Sequence, residues 1–231
     1  MSKKKLSFIL TSAGNGTRFG KTNKGKQFEL INDFPVMIYS LKSILRIKNV
    51  DQIIITINKK VGTPYIEKLL KKYSIKKKIT VCYGGTTRAR SVFNAFQKIN
   101  ADTGMVIIHD SARPNIDTRI VNKMIKSMGK YQGIILASKI QDTVKKASGK
   151  NLINETVERD KLWCAETPQI FTYSSLKKCY ESDLKFTEYT DEAQLLEKNG
   201  YKVKLYENNK FNLKITTKED LNMYKLLLRN V

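Results

Sequence analysis

The chain has 231 residues, 41% of them hydrophobic, and carries 43 Lys and Arg against 21 Asp and Glu, a formal charge of +22. That length suits one α/β domain, residues 1–231, with at most an appendage. No apolar run approaches a membrane span, and three scattered cysteines (Cys82, Cys164, Cys179) with a lone histidine, His109, exclude a disulfide framework and a zinc spacing.

The basic start, Met1-Ser2-Lys3-Lys4-Lys5, is followed by only five residues before the polar Thr11-Ser12. This is too short for a signal peptide and predicts a cytoplasmic protein with no membrane partner. The lysines are spread along the chain, densest at Lys71-Lys72 and Lys76-Lys77-Lys78 beside a predicted helix end, where cations suit the dipole. No aromatic-rich RNA-binding signature accompanies them, so a lysine-biased enzyme explains the charge more simply than nucleic-acid binding. A basic nucleic-acid-binding protein stays as the reading from another class.

Leu6–Leu10 is a short β-favouring run that leads into Ser12–Lys26, SAGNGTRFGKTNKGK. Gly14, Gly16 and Gly20 let the backbone N–H groups approach a ligand, and Arg18, Lys21, Lys24 and Lys26 add cations. Backbone donors and cations directly after a strand suit an array of phosphate oxygens, which points to a nucleoside triphosphate. The bland alternative is a Gly/Lys surface loop. The dinucleotide fingerprint fails by one residue, because Gly20 comes one position late. A P-loop fails because Gln27 stands where a magnesium-binding hydroxyl is needed.

Helical spacing follows over Val36–Ile47, a buried strand over Gln52–Ile57, and a helix with Pro at its start over Pro64–Tyr73. A strand at Ile79–Tyr83 ends at Gly84-Gly85; a helix over Ala89–Ile99 and a strand over Met105–His109 come next. Asp117–Met128 reads as helix and Gly133–Ser138 as strand. Short, nearly all-apolar strands alternating with helices predict a mainly parallel sheet covered on both faces. Ligands in such sheets sit at the carboxyl ends of strands. The loop at 11–20, Gly84–Ser91 and His109–Pro114 should therefore converge.

Residues 140–161 break the pattern with few apolar anchors, and Ser148-Gly149-Lys150-Asn151 is a turn signal between two β-like stretches. A protruding two-stranded arm fits better than a disordered insert, and because isolated hairpins are marginal it should lie against a second subunit. Tyr173–Ser182 and Asp191–Asn199 read as helices, the second capped by Thr190 or Asp191 and stopped by Gly200. Val203–Tyr206 and Asn212–Ile215 read as strands, and Lys218–Leu228 as the last helix.

Asp110 should emerge at a strand end near the triphosphate loop, where a carboxylate suits a magnesium ion or a ribose hydroxyl. Arg113 could hold a second phosphate by a bidentate contact. His109 fits a core or supporting place better than a catalytic one.

Taken together these residues resemble the 2-C-methyl-D-erythritol 4-phosphate cytidylyltransferases of isoprenoid biosynthesis, nearly end to end. The matching stretches are Ala13–Arg18, Lys26-Gln27, Gly84-Gly85 with Arg88 and Ser91-Val92, His109-Asp110 with Ala112–Pro114, and Asp142–Lys145. Arg159 with Leu162-Trp163, Thr167-Pro168-Gln169, Thr190–Ala193 and Asn212–Thr216 complete the set.

The resemblance implies a Rossmann-like nucleotidyltransferase fold, a homodimer interlocked through the 140–161 arm, and attack of a sugar-alcohol phosphate on the α-phosphate of CTP, with Mg2+ or another divalent cation on the phosphates. In that picture Arg18, Lys26 and Lys214 are catalytic. Ser12, Ala13, Gly14, Gly16, Gly84, Ser91 and Asp110 bind CTP, with Asp110 also a metal candidate. Arg113 and Thr167 face the acceptor, and Thr143 and Arg159 reach it from the partner's arm.

The chain departs from the family pattern at Gly25 (usually Pro), Thr11-Ser12 (usually Pro-Ala), Ser111 (usually Ala) and Thr86 (often acidic). The sister ribitol-5-phosphate cytidylyltransferases share the glycine loop and are the alternative. Arg159 before Leu162-Trp163 and Asp142–Lys145 favour methylerythritol phosphate as the acceptor.

Overall fold

The first apolar run forms strand β1 (Lys5–Ser12) of the computed structural model, which describes residues 5–229 apart from 21 and 23. Lys21 and residues 1–4 of the basic start thus lie outside the described residues. Phe8, Ile9 and Leu10 are fully buried, because both faces of the sheet are covered. The side chains alternate: Phe8 and Leu10 pack into one apolar cluster, Ile9 into another across the sheet.

A two-residue hairpin, β2 (Leu30–Ile31) and β3 (Phe34–Pro35), leads into α1 (Val36–Leu45). Then come β4 (Val50–Ile57), α2 (Thr63–Lys72), β5 (Thr80–Tyr83), α3 (Arg88–Phe96), β6 (Thr103–Asp110), α4 (Thr118–Lys126) and β7 (Gly133–Lys139). Every helix and strand expected over this part is present within a few residues of its expected ends. Asp117 caps α4 by accepting from Arg119 N. Met37, Ile38, Leu41 and Ile44 of α1, Ile66 of α2 and Met124 of α4 fill the first cluster. Val92 and Phe96 of α3 lie in the second.

The 140–161 segment is the expected hairpin, β8 (Val144–Ala147) against β9 (Ile153–Val157), turning at Asn151 with a left-handed φ of 58°. Leu152 and Ile153 at its tip are largely exposed.

One strand has no counterpart among the expected elements, and one expectation needs correction. The segment Trp163–Thr172 is a full strand, β10, inserted antiparallel between β6 and β7. Its alternation is hidden by Glu166 and Pro168, which sit where the register with β7 shifts between Ala165 and Gln169. Conversely, Asn212–Ile215 is not a strand. It is an irregular segment whose backbone bonds go to Ala112 O and the Arg113 guanidinium rather than to a ladder.

After β10 come α5 (Tyr173–Ser182), α6 (Glu192–Lys198, capped by Asp191), β11 (Val203–Glu207) and α7 (Lys218–Arg229). The sheet order is β11-β7-β10-β6-β1-β4-β5, and all its pairings are parallel except the two made by β10. This is an α/β fold, a mainly parallel sheet flanked by helices. Among the described residues no helix is long and apolar enough to cross a membrane.

A third, smaller cluster joins Leu221 and Tyr224 of α7 to Phe19, Ile31, Val36 and Ile215. Phe19 follows Arg18 and Ile215 follows Lys214, so one apolar anchor point fixes the backbone of two cations far apart in sequence.

Candidate active site

Gln27 is the residue that shapes the glycine loop. Buried at 3% exposure, its Nε2 donates to Ser12 O at 2.5 Å and to Gly14 O at 3.4 Å, folding 12–14 back over residues 25–28. Gly16 has φ 65°, a left-handed turn that lets its carbonyl accept from Phe19 N at 2.8 Å. Gly84 is required for a different reason: a Cβ there would lie 2.3 Å from Ala13 Cβ and 2.7 Å from Ser91 Oγ. Ser91 Oγ in turn accepts from Gly85 N at 3.0 Å and donates to Thr87 O at 2.9 Å. The glycine loop and the β5–α3 turn are thereby packed face to face.

Between them lies a cavity of about 300 Å³. Arg18, Lys26, Lys214, Ser12, Ala13, Gly14, Gly16, Ser91 and Asp110 all line it. The loop after β1, the β5–α3 turn and the end of β6 do converge, as the strand-end argument requires. Gly84 stands just behind the wall, beneath Ala13.

Asp110 organises the charge. Its Oδ2 accepts from Lys214 Nζ at 2.6 Å, and its Oδ1 from Thr11 Oγ1 at 3.1 Å and Arg88 Nε at 3.3 Å. Burial pushes its carboxyl up, but Arg88, Lys214 and Arg113 outweigh that and hold it well below the usual carboxylate range. Arg88 also donates to Glu192 Oε2 at 2.8 Å. Burial disfavours its charge, yet Glu192 and Asp110 more than compensate, so Arg88 stays cationic.

Lys26, also in the cavity wall, is pushed the other way from Arg88. Burial, then the charges of Lys214 and Arg18, bring its ammonium down to about 8. Three cations facing one another with too few carboxylates are a site built for an anion.

Beneath the floor, Asp110 N donates to Thr167 Oγ1 at 3.1 Å, and Thr167 Oγ1 lies 3.0 Å from His109 Nδ1. His109 Nε2 is 2.9 Å from Arg113 O, an acceptor only, so the proton sits on Nε2 and Nδ1 receives the Thr167 hydroxyl. Burial drives the His109 pKa down to about 4, which keeps the ring neutral. Thr167, 5% exposed, is part of this support rather than of the cavity wall.

Arg113 lines a second cavity, of about 910 Å³, which shares Lys214 with the first. Thr143 and Arg159 are exposed on the hairpin, outside both cavities; Arg159 Nη1 donates to Gln141 O.

Sequence reasoning did not single out Gln27, Arg88 or Glu192 as site residues. Arg88 and Glu192 are 104 residues apart, so only the fold reveals the pair. A Gln beside Lys26 offered the one usable signal, a buried amide able to close a glycine loop.

The family model for 2-C-methyl-D-erythritol 4-phosphate cytidylyltransferase matches residues 6–230. The chain is 37% identical over 214 residues to the enzyme of that name from Bacillus cereus, covering 92% of this chain and 93% of the other. It is 35% identical over 224 residues to the one from Clostridium novyi, covering 96% of each. Among solved structures, the 4-diphosphocytidyl-2C-methyl-D-erythritol synthase of Anaerococcus prevotii superposes with TM-score 0.82 at 31% identity, covering 98% of this chain and 99% of that one. The cytidylyltransferase of Francisella tularensis gives TM-score 0.80 at 30% identity, over 96% and 99%. With the glycine loop, the three converging cations and the buried Asp110 in place, the chain belongs to the 2-C-methyl-D-erythritol 4-phosphate cytidylyltransferase family.

Proposed function

We propose that the chain transfers the cytidylyl group of CTP to 2-C-methyl-D-erythritol 4-phosphate and releases pyrophosphate, a step of non-mevalonate isoprenoid precursor synthesis carried out in the cytoplasm. An oxygen of the acceptor's phosphate bonds to the α-phosphorus of CTP. The bond from that phosphorus to the bridging oxygen breaks, and pyrophosphate leaves with the electron pair. The observation that carries the reading is the meeting of Arg18, Lys26 and Lys214 in one cavity beneath the glycine loop.

The roles follow from position. Backbone N–H groups of 13–17 and the Arg18 and Lys26 cations receive the triphosphate. Lys26 and Lys214 stabilise the charge that builds at the α-phosphate. Ser12, Ala13, Gly14, Gly16 and Ser91, with Gly84 behind them, frame the nucleoside, and Asp110 serves a ribose hydroxyl or a metal. Arg113, in the second cavity, holds the acceptor's phosphate end; Thr167 acts from below, by orienting Asp110 and His109.

A divalent cation such as Mg2+ fits this pocket in a limited way. Asp110 is the only acidic side chain lining it among the described residues, and three of its four acceptor positions are taken by Thr11, Arg88 and Lys214. One oxygen position remains, so the ion would be held by Asp110 and chiefly by the nucleotide's own phosphates. When bound it supplies neutralisation of phosphate charge.

The hairpin of residues 140–161 is the dimer device in this reading. Its exposed Leu152 and Ile153 call for cover that a single chain does not supply, and a second copy's Thr143 and Arg159 complete the acceptor side. Removing residues 144–156 should yield monomers; unchanged dimers would refute the role.

Pyrophosphate release from CTP and Mg2+ tests the acceptor. Turnover with methylerythritol 4-phosphate and none with ribitol 5-phosphate is expected. The reverse would assign the chain to the ribitol acceptor, and silence with both would sink the reading.

A further inference from the structure

The second cavity contains a carboxylate to which the reaction as described gives no task, Glu166. Its Oε2 accepts from Asn208 Nδ2 at 2.9 Å and from Asn212 Nδ2 at 2.7 Å. Both asparagines are buried at 8% exposure and are themselves fixed, Asn208 Nδ2 by Lys210 O at 2.9 Å and Asn212 Nδ2 by Thr167 O at 3.0 Å. Glu166 Oε1 has no hydrogen-bond partner among the described residues. The other carboxylate of the wall, Glu207, faces Lys139 at 3.6 Å. Glu166 is therefore an acceptor oriented by two buried amides, with one oxygen unused, in a cavity whose other charged walls (Arg113, Lys139, Lys210, Lys214) suit a phosphate.

An anionic ligand with a phosphate at one end places that end among the cations. A carboxylate in the same cavity repels phosphate and accepts from hydroxyls, so it reads the remainder of the molecule. We propose that Glu166 is a specificity-determining residue for the acceptor: its Oε1 accepts hydrogen bonds from hydroxyl groups of a polyol phosphate whose phosphate lies toward Lys214 and Arg113. This rests on the cytidylyl-transfer reading above and deepens it.

The rival role is structural, since Glu166 also seats the 208–212 segment that precedes Lys214. Glu166→Gln separates the two. The glutamine oxygen can still accept from Asn208 and Asn212, while the free position turns from acceptor to donor. In the variant we expect the KM for methylerythritol 4-phosphate to rise about tenfold or more. The KM for CTP, the Tm and the inhibition constant of methyl phosphate, an acceptor fragment without hydroxyls, should stay as in the parent. An unchanged polyol KM, or an equal weakening of methyl phosphate and the polyol phosphate, overturns the proposal and leaves cytidylyl transfer standing. Absence of turnover in the parent chain would instead remove the reading on which it rests, and the proposal with it.

Discussion

The ammonium of Lys214 lies 2.6 Å from Asp110 Oδ2, across 104 residues of sequence. The contact joins an irregular segment to the end of β6, and Asp110 Oδ1 simultaneously holds Arg88 Nε at 3.3 Å. One buried carboxylate thus aims a cation into the cavity and couples it to a second ion pair. The same ammonium lines the cavity, where a nucleotide phosphate would be its second anion.

Lys214→Ala and Arg18→Ala should both leave the fold standing. Arg18 is exposed, and the backbone beside each is anchored by Ile215 or Phe19. Turnover should fall by about a hundredfold or more in each, the scale for removing one charge that stabilises the transition state. Steady-state kinetics with circular dichroism checks this; full activity in either variant contradicts the assignment.

Much of this was legible in the residues. Phe8, Ile9 and Leu10 and the later apolar runs declared strands buried on both faces, and the strand-end rule then brought three loops to one place. What was hidden has physical causes. Glu166 and Pro168 break the apolar pattern of β10, the one antiparallel strand of the seven-stranded sheet, because a polar cavity wall and a register shift both fall there. Asn212–Ile215 imitates strand alternation, but Leu213 and Ile215 anchor a loop while Asn212 serves as a bracket. The Arg88–Glu192 pair spans half the chain and leaves no local trace.

That pair makes a stability prediction. Glu192 is 2% exposed, and burial, opposed by Arg88, raises its pKa. Arg88→Met strands a buried carboxyl and should cost about 3 kcal/mol. Adding Glu192→Met should recover part of that, with a coupling energy of about 1–3 kcal/mol in urea unfolding. Strict additivity would show that the two side chains do not act as a pair.

Lys26 predicts a pH limit on nucleotide capture. With its ammonium brought down to about 8, kcat/KM for CTP should fall as pH rises through that value in the free enzyme. Bound phosphates restore the proton, so kcat should break at higher pH. Lys26→Arg should remove the kcat/KM break, since a guanidinium stays charged. The stability sign is opposite. The unfolded chain holds this proton up to about 10.5, so the cost of keeping the folded ammonium charged is present below pH 8 and is relieved between 8 and 10.5.

His109 sets an acid limit. Its ring is neutral when folded down to about pH 4, whereas in the unfolded chain it charges near 6.5. The unfolded state therefore binds the extra proton, and stability should decline as pH falls from 6.5 to 4, by roughly 3 kcal/mol at full titration. Urea midpoints measured across that range should show the decline in the parent chain and a flatter limb in His109→Gln.

Phosphorus NMR of the complete reaction tests the central claim most directly, because it reports which bond has formed. CTP, Mg2+ and methylerythritol 4-phosphate should give two mutually coupled resonances of a new diphosphate diester, with free pyrophosphate in equal amount. CMP and pyrophosphate without the diester would mean that water, not a polyol phosphate, attacks the α-phosphorus, and the account of the second cavity would fail.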